Sequence, residues 1–150
     1  MSGSVAIVLH AHLPWVRSPE HPRSLEERWL FEALWESYLP LVDMFERLVN
    51  DGITAPVTVS ISPPLMAMLG DSLLRQRFVA HLDRLEGLVA REVIRTRSWP
   101  DVANVVEFYR ERLVRTRATW ARLGGDLVGA LVRLERAGAI ELLTTCATHA

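Results

Sequence analysis

His10 and His12 are the residues of this chain whose type and spacing best suit them to chemistry. A neutral imidazole offers one donor and one acceptor nitrogen. Such a pair can hydrogen-bond neighbouring loops, coordinate a divalent ion, or bind hydroxyl groups as donor and acceptor together. Two residues apart in an extended segment, the rings share one face, because side chains alternate across a strand. The pair alone leaves all three readings open. Nearby acids, Glu20, Glu26, Glu27, Glu32 and Glu36, form no recognisable acid/base pair, since lone acids on helices are usually solvated, capping or salt-bridged.

The element that must carry the histidines is Val5 to His12, a short β-branched run apolar on both faces, as expected of a parallel strand covered on both sides. Ala6, Val8, His10 and His12 fall on one face, and Val5, Ile7, Leu9 and Ala11 on the other. Both imidazoles thus emerge at the strand's C-terminal end, where parallel α/β folds place their active sites. A loop punctuated by Pro14, Pro19 and Pro22 follows, and Ser24 with Glu27 has the spacing of a capping box that starts a helix. Apolar residues from Phe31 to Val49 keep helical spacing up to a stop at Asn50, Asp51 and Gly52, with Pro40 kinking or dividing the helix.

Val57 to Ile61 predicts a second strand, broken by Pro63 and Pro64. Three helices are then expected, roughly Ser72 to Thr96, Val102 to Leu123 and Leu127 to Ala137, with Asp71, Asp101 and Asp126 as N-caps and Gly138 as a stop. Ile140 to Thr145 reads as a third strand. The chain is therefore expected to be α/β, with a helical insertion at about 71–138 between the second and third strands. Three strands cannot close a barrel, which takes about 250 residues. The expectation is an unfinished piece of one, with no repeat or linker to support a domain boundary at Ala150.

Composition narrows the partners. Hydrophobic residues make up 49% of the 150, and 17 Lys plus Arg are offset by 18 Asp plus Glu, which suits a globular protein and gives no basic footprint for nucleic acid. The apolar run Val5 to Leu9 is too short for a signal-peptide core or a membrane span. A single cysteine, Cys146, fits a reducing compartment. The expected location is the cytoplasm, with no membrane partner.

The wider context of the histidines carries a resemblance. His10-Ala11-His12-Leu13-Pro14-Trp15, then Glu26 to Ala33 and Glu36 to Leu41, resembles the opening of branching enzymes in glycoside hydrolase family 57, whose first motif is His-x-His-x-Pro. The likeness continues through Thr58 to Leu65 and into Ile140 to His149, which resembles the family's second motif in its Ala-Thr-His form. The resemblance implies the N-terminal part of an incomplete (β/α)7 barrel spanning residues 1–150, with His10, His12 and His149 around sugar subsites. It implies an α-1,4-glucan as substrate, transfer of a glucan segment to a 6-hydroxyl, and no cofactor. Trp29 matches a tryptophan beside the family's cleft, where an indole face can stack on a pyranose ring; Trp15 is the weaker candidate, since it can equally pack under its loop.

In that family the nucleophile is a glutamate in the third motif and the acid/base an aspartate in the fourth, both after Ala-Thr-His. No catalytic residue is therefore carried over to this chain; those groups are expected after Ala150, in a missing C-terminal part of the same enzyme, and the piece alone is expected to be inactive. Trp35 at helical spacing reads as core, and Trp99 and Trp120 in the insertion as packing residues. Two alternatives remain. One is a metal-dependent hydrolase or deacetylase barrel with His10 and His12 as ligands, like the His-x-His of amidohydrolases. The other is a truncated, non-catalytic glucan-binding fragment.

Overall fold

Short β-branched runs need neighbours to satisfy their backbone groups, and here they find one another in a single parallel sheet. In the computed structural model, which describes residues 3–53 and 57–147, the strands β1 (Val8–Ala11), β2 (Val57–Ile61) and β3 (Ile140–Thr144) lie side by side in chain order. The register aligns His10 with Ser60 and Ser60 with Leu143; Leu9, Val59 and Leu142 form the adjacent row. β1 is shorter than Val5 to His12, because a ladder lasts only while a partner strand runs alongside: its last bond at this end runs from Thr58 N to Ile7 O, at 3.0 Å.

Between β1 and β2 the expected single helix is three pieces: α1 (Leu25–Ala33), one π-helical turn (Leu34–Tyr38) and α2 (Leu39–Asn50). Leu39 N reaches back five residues to Leu34 O, and Pro40, which has no amide hydrogen, opens α2 just beyond. The division expected at Pro40 is thus a widened turn and not a break. Ser24 caps α1 by accepting from Glu27 N at 3.0 Å, which is half of the expected capping box. The Glu27 carboxylate does not return to Ser24. It accepts instead from Ser18 N at 2.9 Å and Arg77 Nη1 at 2.6 Å, because burying a charge requires a cation and a desolvated donor more than it requires a cap.

Pro63 and Pro64 end β2, but they also start α3 (Pro63–Gly70), a helix the sequence reading did not foresee. The first turn of a helix has no use for its amide hydrogens, so two prolines there cost little. Three helices follow: α4 (Ser72–Thr96), α5 (Pro100–Arg122) and α6 (Leu127–Arg136). Asp71 and Asp126 cap α4 and α6 through Leu74 N and Gly129 N, as expected. Asp101 does not cap α5. Trp99 occupies that place and Asp101 lies in the first turn, since Pro100 at N1 starts the helix earlier. Gly138 stops the chain after α6 with φ +72°, a conformation favoured for glycine.

One face of the sheet is covered and the other is open. Leu9, Ala11, Val59, Ile61, Ile140 and Leu142 pack with Val42 and Phe45 of α2, Leu65 of α3, and Leu127 and Leu131 of α6. The opposite face carries Val8, His10, Thr58, Ser60, Glu141 and Leu143, with Val8 and Leu143 exposed. The expectation of a strand covered on both sides therefore holds for one side among the described residues. Trp35 and Trp120 are buried as expected, the latter against the edge of Phe78 at 4.7 Å. Trp99 is not a packing residue: it is 55% exposed at the turn between α4 and α5, with the Arg95 guanidinium 5.7 Å from its ring centroid.

Candidate functional site

Strand alternation puts His10 on the open face of the sheet, where parallel pairing sets it beside Ser60. His10 Nδ1 and Ser60 Oγ share a hydrogen bond of 3.2 Å. His12 lies one residue beyond the end of β1, yet its ring runs nearly parallel to that of His10, with centroids 6.2 Å apart and planes 6° apart. The two imidazoles thus emerge together at the C-terminal end of β1, as their spacing predicts.

A cavity of about 390 Å³ lies between the covered face of the sheet and α2, α3 and α6, opposite the face that carries His10, with His10 and His12 among its lining. Its walls are aliphatic and aromatic except for His10, His12, Ser37 and Tyr38, and no Asp or Glu lines it. Ser37 and Tyr38 were missed in the sequence reading. Both line the cavity together with Ala33 because the π-helical turn between them spreads its residues more widely than an α-helical one. Burial raises the Tyr38 phenol above its ordinary pKa, so it stays a neutral donor and acceptor. A tyrosine two residues before a proline in an otherwise helical stretch was the available signal.

Trp29 is 46% exposed on α1, one turn before Ala33 and therefore on the same helix face, although it does not itself line the cavity. Trp15 is 56% exposed in the loop after β1 and does not pack beneath it. The loop is held instead by its neighbour Val16, which is buried and donates its amide to Met68 Sδ at 3.3 Å. His149 lies outside the described residues. Of the five predicted site residues, the structure brings His10 and His12 into contact and sets Trp29 on the adjoining helix face.

The acids behave as lone acids do. Glu27 is 1% exposed and salt-bridged to Arg77, and Glu32 pairs with Arg28 at 3.6 Å. Among the described residues no group of three His, Cys, Asp or Glu is placed to hold a metal ion, and no helix is long and apolar enough to cross a membrane. Imidazoles beside a serine hydroxyl suit a polyol, whose hydroxyls need both donors and acceptors.

Residues 6–150 match the family model described as glycosyl hydrolase family 57. The chain is 30% identical over 153 residues to a 1,4-α-glucan branching enzyme of Thermococcus kodakarensis, which covers 99% of this chain and 22% of that protein. It superposes on the crystal structure of a family 57 type branching enzyme from Pyrococcus horikoshii with a TM-score of 0.92 at 29% identity, over 99% of this chain and 28% of that one. The α-amylase AmyC of Thermotoga maritima gives a TM-score of 0.89 at 36% identity, over 96% of this chain and 27% of that one. The chain thus spans about a quarter of the length of the relatives it matches.

Proposed function

The chain belongs to glycosyl hydrolase family 57, and on that premise we propose that it forms one wall of the glucan-binding cleft of a cytoplasmic 1,4-α-glucan branching enzyme. The observation that carries the reading is the meeting of His10 and His12 beside Ser60, on a sheet face that no helix covers among the described residues. In a (β/α) barrel the helices form the outer ring, so a helix-covered face is the outside and the bare face the interior. By that rule His10 turns toward the barrel axis, at the C-terminal strand ends where such barrels hold substrate. His12 joins it, and the family resemblance implies the same role for His149.

Branching by a retaining route needs two carboxyl groups about 5–5.5 Å apart, one attacking the anomeric carbon and the other protonating the leaving oxygen. A 6-hydroxyl of a second glucan then displaces the enzyme in place of water. We assign neither carboxyl group to the described residues: the acid on the bare face, Glu141, accepts from Thr58 and lies two residues along the strands from the row of His10 and Ser60. The histidines orient the sugar through hydrogen bonds that strengthen as the ring approaches its oxocarbenium-like state. Trp29 supplies a stacking face, and Trp15, exposed on the loop after β1, extends it.

Protein bearing this segment, supplied with amylose, is expected to generate new α-1,6 linkages, counted as short chains released on debranching. Hydrolysis to linear oligosaccharides without new branches would contradict the reading. The 150 residues by themselves are expected to give neither product.

A further inference from the structure

On the other side of α1 lies a second cleft. Phe31 and Ala33, two residues apart and so about 200° around the helix axis, face different cavities. Phe31, with His81, Arg84 and Arg91 of α4, Arg28 of α1 and Arg23 of the preceding loop, lines a space of about 320 Å³. His81, Arg84 and Arg91 follow the spacing that aligns one helix face.

The charge here is one-sided. Every cation of this chain is arginine, so arginine alone is no signal; the missing carboxylates are. Two other clefts lined by arginine also contain an acid, with Asp43 beside Arg47 and Arg112 in one, and Asp43 and Glu46 beside Arg122 in the other. No Asp or Glu lines the cleft around His81. Among the described residues Arg23, Arg84 and Arg91 enter no salt bridge, and Arg28 has an exposed pair with Glu32 at 3.6 Å. In the midst of these guanidinium groups His81 is 5% exposed, its ring 5.4 Å from that of Phe31, and its Nε2 has no hydrogen-bond partner. Buried polar atoms are nearly always paired, so with its proton on Nε2 this imidazole, set among cations, calls for an acceptor that none of the described residues supplies.

We propose that this cleft is an anion site for a small phosphoryl compound, a phosphate monoester or pyrophosphate, gripped by Arg23, Arg28, Arg84 and Arg91 with His81 Nε2 as the buried donor. Guanidinium forks match the geometry of phosphate oxygens and bind them bidentately. The volume lies at the small end of ligand sites, near about 300 Å³, which suits a compact anion and not a glucan. Burial and the neighbouring Arg84 and Arg28 charges hold the His81 pKa down to about 4. The ring is therefore neutral near pH 7 and can donate one proton without needing to be charged.

The test is isothermal titration of the whole chain with pyrophosphate and with inorganic phosphate, at constant ionic strength set with sodium chloride, and with acetate as the carboxylate control. One saturable site for pyrophosphate is expected, weakened tenfold or more in Arg84→Gln/Arg91→Gln, a variant that breaks no salt bridge. In the unaltered chain the His81 ring signals should shift on titration, and the His81 pKa should rise from about 4 as the bound anion favours the charged ring. No saturable binding, an equal response to acetate, a double variant that binds as well, or an unmoved His81 ring would each overturn the proposal. None of those results would touch the glucan reading, which depends on the other side of α1.

Discussion

Arg112 of α5 donates from Nη2 to the carbonyl oxygen of Glu36 at 2.6 Å, the oxygen whose α-helical donor would be the amide of residue 40, where proline has no hydrogen. The same guanidinium lies 5.2 Å from the centroid of Trp35. A widened turn in the helix that borders the histidines is thus held from outside by a side chain of the insertion.

Arg112→Met should accordingly cost about 1 kcal/mol of stability, the net worth of one partly exposed hydrogen bond. Pro40→Ala returns an amide donor to that region, so the cost of losing Arg112 should shrink in the Pro40→Ala background. Urea denaturation of the four proteins in a double-mutant cycle reads the coupling. Equal costs in both backgrounds would mean that Arg112 is not substituting for the missing amide.

Glu27 and Arg77 tie the Ser18–Pro19 loop to α4, because Arg77 also donates to the carbonyls of Ser18 and Pro19. Removing one member of a buried ion pair strands the other, so Arg77→Ala should lose about 3–5 kcal/mol. Glu27→Gln/Arg77→Met, which removes both charges, should lose less than Arg77→Ala. Equilibrium unfolding with unchanged denaturant slopes is the measurement.

Stability should depend on pH through His81. In the folded chain burial and the Arg84 and Arg28 charges hold its pKa down to about 4, below the ordinary 6.5 of histidine. Between those values the unfolded chain holds more protons, so stability falls as pH drops from 6.5 toward 4 and is level above that window. The full difference corresponds to at most about 3 kcal/mol. His81→Phe should flatten the fall seen between unfolding curves at about pH 7 and about pH 5.

Trp29 and His10 should separate binding from stability. Trp29 is 46% exposed, so Trp29→Ala should change stability by no more than about 0.5 kcal/mol while weakening maltooligosaccharide binding. His10→Ala should weaken binding up to about tenfold, the worth of one or two neutral hydrogen bonds. Ser60→Ala should have a smaller effect, since Ser60 acts by orienting His10 through their 3.2 Å hydrogen bond. Fluorescence titration and thermal unfolding of the same variants check both halves.

Much of this arrangement was legible in the residues, for identifiable reasons. The three strands follow from β-branched runs, the α4 and α6 starts from Asp71 and Asp126, and the pairing of His10 with His12 from alternation along β1. What escaped was set by the middle of the fold. Prolines 63 and 64 signal both the end of a strand and the first turn of a helix, and only the packing of Leu65 and Met68 decides for α3. The Glu27 carboxylate was diverted from its cap by Arg77, fifty residues away. Ser37 and Tyr38 reached the cavity beneath the sheet through a π-helical turn that no 3.6-residue period can foresee. The cationic cleft at His81 joins residues of α1 and α4 that are interleaved in sequence with acids, none of which lines the cleft.

The central claim, that His10 and His12 belong to a glucan-binding wall flanked by Trp29, is tested most directly by titrating the protein with maltoheptaose while following histidine ring and indole signals by NMR. Saturable shifts at His10, His12 and the Trp29 indole are expected, with Trp99 and His81 unmoved. Shifts confined to Trp99 or His81, or none at any concentration, would contradict it.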